Sequence, residues 1–326
     1  MARRKSLLSV ALLAVMALTL SACGGGNDTK SQASQGSSTQ SNLTIAVVTH
    51  GASGDAFWDV VKKGAEQAGK DLGVKVTYQS DGDAGNQARL IDTAVSQKVN
   101  GLVVSMANPD ALKASVQAAV AAKIPVITIN SGGDKSAAFG AITHVGQDER
   151  IAGQGAGQRF KADGAKHLLC VIHEAENIGL QERCGGAKDA FGGTVENLQV
   201  DIQNVTEASA TIKSKLQADK SIDAVLTLNP QVAIAARDAI KDAGSSAKLG
   251  TFDLNGDVVD AIKAGEISFA IDQQQYLQGY LPIVFLKLYV QNLNTVGGGA
   301  PVLTGPGFVT KDNAAQVADL ASAGTR

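Results

Sequence analysis

From residue 43 onward, short apolar runs alternate with longer segments whose apolar residues recur at helical spacing. The run 43–49 (LTIAVVT) is typical of a buried strand, and Phe57, Val61 and Ala65 share one face of a helix predicted over 57–72. Strands separated by helices of this length form parallel sheets with helices on both faces. The alternation therefore predicts an α/β protein.

The same pattern predicts strands and helices along most of the chain, with a break near 131–146. The predicted strands are 43–49, 74–78, 101–105, 124–129, 166–172, 198–203, 222–228, 248–252 and 267–271. The predicted helices are 57–72, 86–98, 110–122, 148–161, 179–190, 208–218, 230–243, 256–264 and 276–292. About ten strands divide better between two sheets than they fit into one. We therefore predict two doubly wound lobes with parallel sheets.

The composition narrows the class of protein. Hydrophobic residues make up 44% of the chain and charged residues 18%, which is typical of a globular protein. The formal net charge of −2 argues against a surface that binds nucleic acid. The sequence length of 326 residues is sufficient for two packed lobes.

The first 42 residues indicate export. Residues 1–22 join a basic start to an apolar run that is too short to span a membrane but fits a secretory signal peptide. The sequence LSAC at 20–23 resembles the bacterial lipoprotein box, in which the cysteine is diacylated and becomes the new N-terminus. Residues 24–42 lack aromatic and large aliphatic side chains, so 23–42 is predicted to be a lipidated Cys23 with a flexible tether. We expect an extracytoplasmic protein that a lipid alone anchors to the cell membrane; an ordinary signal peptide with an incidental cysteine is the alternative.

Export to an oxidising compartment favours pairing of the two remaining cysteines. Cys170 lies in the predicted strand 166–172, and Cys184 follows 14 positions later, early in the helix 179–190. Closing so short a loop contributes about 3 kcal/mol to stability. We therefore predict a Cys170–Cys184 disulfide rather than two free thiols or a metal-binding pair.

Polar residues follow the apolar runs in both halves of the chain. In doubly wound sheets, ligands bind beyond the carboxyl ends of the strands. The residues at these positions are His50, Asn130, His173, Asn229, Asp253, Asp272 and Gln273. Amides, carboxylates and imidazoles together suit a ligand with many hydroxyl groups, although each residue alone could equally be a helix cap or part of a turn.

The sequence lacks the motifs that indicate cofactors, metals or catalysis. It has no phosphate loop and no HExxH pair, and no nucleophile and base can be paired from their spacing. The glycines of 153–157 (GQGAG) lack the dinucleotide-binding spacing and do not follow a strand, so they indicate close helix packing. We expect no cofactor, no bound metal and no catalytic residues.

Several short motifs stand in an order and spacing that are specific when taken together. They are DAFW at 55–58, IPVITIN at 124–130, ERCG at 182–185, Asn229 after the strand, GTFD at 250–253 and IDQ at 271–273. In these motifs, and over nearly all of residues 43–310, the chain resembles the periplasmic sugar-binding proteins of the ribose-binding type. The resemblance implies two lobes that are joined by three crossing segments and close on a sugar. The first lobe would comprise 43–146 plus 274–303, and the second 147–273 plus 304–326.

The resemblance also implies the roles of individual residues. Phe57 and Trp58 would contact the face of the sugar ring. Asp55 and Asp253 would accept hydrogen bonds from its hydroxyls, and Arg183 would donate to its oxygens. The resulting charge of −1 disfavours an anionic ligand. As a residue of the cleft, Arg183 is expected to be exposed and to add little to folding stability.

The resemblance implies further site residues, and some positions differ from those of the ribose-binding type. Asn130, Asn229 and Gln273 would both donate to and accept from hydroxyls. A longer loop before Asp55 brings His50 to the rim of the site. The usual Asp-Arg pair is replaced by Asn130-Ser131, and Thr206-Glu207 stands where an aromatic residue is expected. Pentoses, hexoses, acyclic polyols and cyclitols all remain open as ligands.

The implied partners are a small neutral carbohydrate or polyol and the permease and ATPase of an ABC importer. We expect a monomer that does not bind nucleic acid. Sugar-responsive repressors of similar fold carry a basic helix-turn-helix where this chain has its signal and tether. A receptor for signalling and an exported sugar-modifying enzyme are the alternative functions.

Overall fold

The apolar runs form two sheets in a computed structural model that describes residues 42–326. The predicted signal peptide, Cys23 and all of the predicted tether except Asn42 lie outside the described residues. The strands are β1 (Thr44–Thr49), β2 (Lys75–Ser80), β3 (Gly101–Ser105), β4 (Val126–Ile129), β5 (Thr143–Gly146), β6 (His167–Ile172), β7 (Thr194–Gln199), β8 (Ala224–Thr227), β9 (Lys248–Phe252), β10 (Phe269–Asp272), β11 (Val302–Leu303) and β12 (Gly307–Thr310).

Helices connect nearly all of these strands. They are α1 (Ala56–Leu72), α2 (Ala84–Ser96), α3 (Pro109–Ala121), α4 (Gly133–Ser136), α5 (Glu149–Ala162), α6 (Ile178–Phe191), α7 (Val205–Ala218), α8 (Pro230–Asp242), α9 (Gly256–Ala264), α10 (Gln275–Asn292) and α11 (Ala314–Ser322). Short 3₁₀ turns follow α4 and precede α7 and β11.

Each sheet has six strands and is the centre of one lobe. The first sheet has the order β11-β5-β4-β3-β1-β2, and the second has the order β12-β10-β9-β8-β6-β7. The strand pairs are parallel except for the edge pair β10–β12, which is antiparallel. In the first sheet, Val47 of β1 lies between Val103 of β3 and Tyr78 of β2. The prediction of two doubly wound α/β lobes is confirmed.

Local sequence explains where the helices next to the cleft begin. Asp55 precedes α1, and its side chain accepts a hydrogen bond from the Phe57 backbone N–H. Asn229 precedes α8 and accepts from the N–H groups of Gln231 and Val232. These capping residues directly follow the strand-to-helix loops, so the start of each helix holds a polar side chain at the carboxyl edge of its sheet.

Glycines allow α5 and α6 to pack closely, as the sequence predicted for 153–157. A Cβ at Gly153 would lie 2.0 Å from the carbonyl oxygen of Arg183, and one at Gly186 would lie 2.1 Å from that of Arg150. Side chains at these positions would force the helices apart. The contact places the beginning of α5 beside the middle of α6.

The structure corrects several predicted elements. β7 occupies Thr194–Gln199 rather than 198–203, because Ile202 belongs to a 3₁₀ turn that Asp201 caps. β5, β11, β12 and α11 were not predicted. The three strands have two to four residues each, too few to show a period, and β12 lies half-exposed at the sheet edge.

Cys170 of β6 and Cys184 of α6, the pair expected to be bridged, are joined by a disulfide with a Cα–Cα distance of 5.9 Å. Both residues belong to a core cluster between the second sheet and helices α5 and α6. Within residues 42–326, no helix has both the length and the apolar character that crossing a membrane requires.

Candidate functional site

The carboxyl ends of the two sheets face each other across a small cavity. All nine side chains predicted to bind the ligand line it: His50, Asp55, Phe57, Trp58, Asn130, Arg183, Asn229, Asp253 and Gln273. His173, Glu174, Asn177, Leu180 and Leu228 complete the lining. All of these residues except Glu174 are buried. The fold therefore brings together residues that are up to 223 positions apart in the sequence, from His50 to Gln273.

An aromatic wall comes from the first lobe. The rings of Phe57 and Trp58 lie edge to face with their centroids 4.9 Å apart, and the His50 ring packs 4.7 Å from that of Trp58. A Cβ at Gly51 would lie 2.4 Å from Cγ of Trp58, so only glycine leaves room for the indole here. The wall offers an apolar surface on which the C–H groups of a ring can pack.

Arg183 of α6 forms a buried ion pair that was not predicted. Its Nε donates to Oε2 of Glu149 at 2.6 Å, and its Nη2 donates to Oε1 at 3.0 Å. The guanidinium also stacks over the Phe252 ring at 4.6 Å, and its Nη1 lies 3.9 Å from Oδ2 of Asp253. Arg183 is only 3% exposed. The expectation that Arg183 is exposed is therefore wrong, because α5 packs against α6 and buries both partners.

A chain of hydrogen bonds continues from Asp253 to the first lobe. The Gln273 amide donates to Oδ1 of Asp253 at 2.8 Å, and the Asn130 amide donates to Oε1 of Gln273 at 3.1 Å. Burial raises the pKa of Asp253 to about 7, although Arg183 opposes the shift. Asn130 and Asp253 have φ angles of 60° and 69°, a left-handed backbone that is rare outside glycine and often marks functional sites.

Asp55 and Asn229 meet across the cleft. The Asn229 amide donates to Oδ1 of Asp55 at 3.3 Å. Burial raises the pKa of Asp55 to about 6, and the hydrogen bond from the Phe57 backbone limits the shift. Each of the two residues caps a helix and lines the cavity at once.

His50 joins the lobes at the other side of the cavity. Its Nδ1 is hydrogen-bonded to Oγ of Ser105 at 2.7 Å, and its Nε2 lies 3.2 Å from the amide nitrogen of Asn177 in the second lobe. Burial lowers its pKa to about 3, and Arg183 adds to the shift, so the ring is neutral near pH 7. His50, His173, Glu174 and Asn177 also line a larger outer chamber that opens to solvent.

Further polar contacts join the lobes around this chamber. Ser131 donates to Oδ1 of Asn177 at 3.0 Å, and the Asn108 amide donates to Glu176 at 3.0 Å. Acidic residues of the chamber lining include Asp83, Glu174, Glu176, Asp201 and Glu207. Glu207, which stands near the position of a missing aromatic residue, therefore faces this chamber rather than the small cavity.

Sequence reasoning missed some residues of the site and placed one wrongly. Glu149 was missed, because the sequence shows only that it follows Asp148, which caps α5. Its burial at the start of that helix is visible only in the structure. Asn177 was missed as well, because capping of α6 is by itself a sufficient reason for an asparagine at this position. Asp272, a strand-end candidate, does not line the cavity; its carboxylate accepts from Nε of Arg326 at 2.7 Å.

One group of side chains outside the cavity has atoms that could ligate a metal. Ligand atoms of His167, Glu196 and Asp219 lie within 4.8 Å of one another. Lys215 already pairs with Glu196 at 2.8 Å, and Ser221 bonds Nδ1 of His167 at 2.8 Å. Nε2 of His167 lies 3.1 Å from Oε1 of Glu196, and the group lies at the amino end of β6, opposite the cavity.

Two lobes that face each other across a polar cavity with an aromatic wall define the class of two-lobed solute-binding proteins. A family profile described as the periplasmic binding protein domain matches residues 45–294. The D-apiose import binding protein of Paraburkholderia graminis is 26% identical over 292 residues, which cover 86% of this chain and 91% of that protein. The ribose import binding protein of Bacillus subtilis is 27% identical over 239 residues, covering 69% of this chain and 74% of that protein.

A solved structure is more similar. The carbohydrate transporter protein of Acidothermus cellulolyticus, in complex with myo-inositol, is 44% identical, with a TM-score of 0.86 and coverage of 87% of this chain and 100% of that chain. The chain belongs to the periplasmic binding protein family, and it is of the type that serves ABC importers as sugar-binding proteins. These relatives are binding proteins rather than enzymes.

Proposed function

We propose that the protein binds a neutral cyclic polyol, a cyclitol or a monosaccharide, in the cavity between its lobes and delivers it to the permease and ATPase of an ABC importer. The observation that carries the proposal is the convergence of nine polar and aromatic side chains from both sheets on one small cavity. Amides and carboxylates satisfy hydroxyl groups, while Phe57 and Trp58 offer a surface for ring C–H groups. The myo-inositol bound by the Acidothermus cellulolyticus protein makes that cyclitol the first ligand to test.

The charges of the cavity support a neutral ligand. Glu149 neutralises Arg183 in a bidentate pair, and Asp55, Glu174 and Asp253 line the cavity with no second cation among the lining residues that the structure describes. A phosphate or carboxylate in this space would meet acidic groups in a low-dielectric environment. A hydroxyl can instead donate to them, and a hydrogen bond to a charged group contributes about 1.5–3 kcal/mol.

The same proposal assigns the parts of the chain. The lobes comprise 43–146 plus 274–303 and 147–273 plus 304–326, so three short crossings act as the hinge. The lobes part to admit the ligand and close through contacts that it makes with both. The protein works outside the cytoplasm as a monomer, and a lipid on Cys23 holds it at the cell membrane.

A thermal-shift screen followed by calorimetry tests the function. The panel contains myo-inositol, D-ribose, D-xylose, D-glucose and xylitol, with inositol monophosphate as the anionic control. We expect one neutral polyol to raise the melting temperature and to bind at one site per chain. Trp58 is the only tryptophan, so its fluorescence should change saturably with the same ligand. Tight binding of the phosphate ester, binding of the acyclic xylitol alone, or no binding by any neutral member of the panel would contradict the proposal.

A further inference from the structure

One imidazole of the cavity wall has no hydrogen-bonding partner at one nitrogen. His173 follows β6 at the carboxyl edge of the second sheet and is 6% exposed. Its Nδ1 is buried and makes no hydrogen bond to any residue in the range 42–326. Of the described residues that line the cavity, only His173 has a buried side-chain nitrogen or oxygen without a hydrogen-bonding partner.

The other polar groups of the wall show that this is unusual. Asn130 is bonded to Gln273, Asn229 to Asp55, and Arg183 to Glu149, as described above. Leaving a buried polar atom unpaired costs about 1–3 kcal/mol, so such an atom in a native site requires an explanation. In a ligand site, a bound ligand can supply the missing partner.

The chemistry of the ring restricts what that partner can be. Burial lowers the pKa of His173 to about 4, so the imidazole is neutral near pH 7. A neutral imidazole has one N–H donor and one acceptor nitrogen, and a hydroxyl can pair with either. An anion could pair only with the donor and would also face Glu174 in the same wall.

We propose that His173 is a ligand contact: from the second lobe, it makes a hydrogen bond with one hydroxyl of the bound polyol and selects ligands that carry this hydroxyl. The inference rests on the proposed function, because it requires a polyol in the cavity. His173 lines both the cavity and the outer chamber. No other described residue of the cavity lining has an unpaired buried side-chain atom that would compete for this hydroxyl.

A cycle of protein and ligand changes tests the proposal. Calorimetry compares wild-type protein with His173→Ala, using myo-inositol and its monodeoxy analogues as probes. We expect His173→Ala to weaken binding of myo-inositol at least tenfold. For one monodeoxy analogue, the two proteins should bind equally, since the hydroxyl that His173 contacts is already missing. His173→Asn, whose amide can occupy the position of Nδ1, should recover most of the lost affinity.

His167→Ala is the matched control, because this histidine begins the same strand at the end away from the cavity. It should bind myo-inositol as tightly as the wild type does. Unchanged affinity in a folded His173→Ala protein, or an equal loss for every analogue, would overturn the inference. Failure of the wild type to bind any neutral polyol would instead overturn the proposed function. If the wild type binds a pentose or hexose, the same cycle uses the monodeoxy forms of that sugar.

Discussion

At the scale of single residues, the cavity is built from side chains that also organise the backbone beside them. Asp55 caps α1 and faces Asn229 across the cleft, while Asn229 caps α8. A sequence cannot separate a capping residue from a ligand-binding one when a single side chain does both. For the same reason, Asn177 was overlooked although its amide lies beside His50.

The ion pair between Arg183 and Glu149 gives a prediction for both binding and folding. Arg183→Ala should weaken ligand binding by about 2–4 kcal/mol, because a buried hydroxyl loses a charged donor. It should also lower the free energy of unfolding by about 3–5 kcal/mol, since Glu149 is left buried without a countercharge. Calorimetry and urea denaturation measure the two effects separately.

Arg150→Ala provides the control, because Arg150 follows Glu149 in α5 but forms only an exposed pair with Asp189. The loss in that variant should be no more than about 1 kcal/mol. Wild-type stability in Arg183→Ala would show that the buried pair contributes nothing to the fold.

The buried titratable groups predict opposing effects of pH on stability. Asp253 and Asp55 have raised pKa values of about 7 and 6, so they stabilise the folded protein at low pH and lose that effect as the pH rises from about 4 to about 7. His50 and His173 have lowered pKa values of about 3 and 4, so their stabilising effect is complete above about pH 6.5 and is lost as the pH falls. In the wild type, the two effects partly cancel between pH 7 and pH 5.

In ligand-free protein, Asp253→Asn should remove one of the two opposing effects and leave the effect of the histidines on stability visible. The variant lacks the carboxyl that takes up a proton in the folded protein. When the pH is lowered from 7 to 5, its free energy of unfolding should therefore decrease by about 2 kcal/mol more than that of the wild type does. Urea unfolding at the two pH values measures the difference. Asp92→Asn, at an exposed position of α2, should keep the wild-type pH dependence. Parallel curves for wild type and Asp253→Asn would contradict the assignment.

At the scale of secondary structure elements, the close contact of α5 with α6 positions the charged part of the site. The glycines of that contact let the start of α5 approach the middle of α6, where Glu149 meets Arg183. The helix contact was predictable from the glycine pattern. The ion pair was not, because the sequence does not reveal which residues of two packed helices face each other.

Gly153→Ala should therefore disturb the ion pair from a distance. Its Cβ would lie 2.0 Å from the Arg183 carbonyl oxygen, so the helices must separate, and we expect a loss of about 1–3 kcal/mol of stability together with weaker ligand binding. Gly185→Ala on α6 is the control, since its Cβ would meet only the end of the Arg150 side chain at 3.4 Å. That change should be neutral or slightly stabilising, because alanine favours the helix. Equal behaviour of the two variants, judged by denaturation and calorimetry, would refute this account.

Long periodic elements were predicted well and short ones poorly. β3 at 101–105 and α9 at 256–264 have the predicted bounds, since β3 is a continuous buried run and α9 carries apolar residues at helical spacing. β11 and β12 have too few residues to show a period, and β12 is held by pairing with β10, which is distant in sequence. All nine proposed ligand-binding residues lie around one cavity because the strand ends and the first turns of the helices that follow them converge there, but their hydrogen-bonding partners depend on tertiary packing.

At the scale of the whole molecule, the two lobes touch through a few polar contacts around the cavity. Asn229 reaches Asp55, Asn130 reaches Gln273, and Asn177 lies beside His50. Each such hydrogen bond contributes only about 0.5–1.5 kcal/mol net, so these contacts hold the lobes together only weakly. A ligand that bonds to both lobes adds the contacts that favour closure.

Anchoring is a property of the whole molecule that can be tested apart from binding. Cys23→Ala should move the protein from the membrane fraction to the soluble fraction, because the proposed acylation site is lost. Its affinity for ligand should stay at the wild-type value, since residues 24–42 separate Cys23 from the first strand. Cell fractionation and calorimetry check the two parts. Retention of the variant on membranes would exclude a lipid on Cys23 as the anchor.

The burial of the cavity lining also governs kinetics. A ligand surrounded by side chains that are nearly all buried leaves only after the lobes part, so its residence time follows the frequency of opening. Contacts that never touch the ligand, such as the bond from Asn108 to Glu176, then control how long it stays. Dissociation can be tuned at the outer chamber while the chemistry of recognition is left intact.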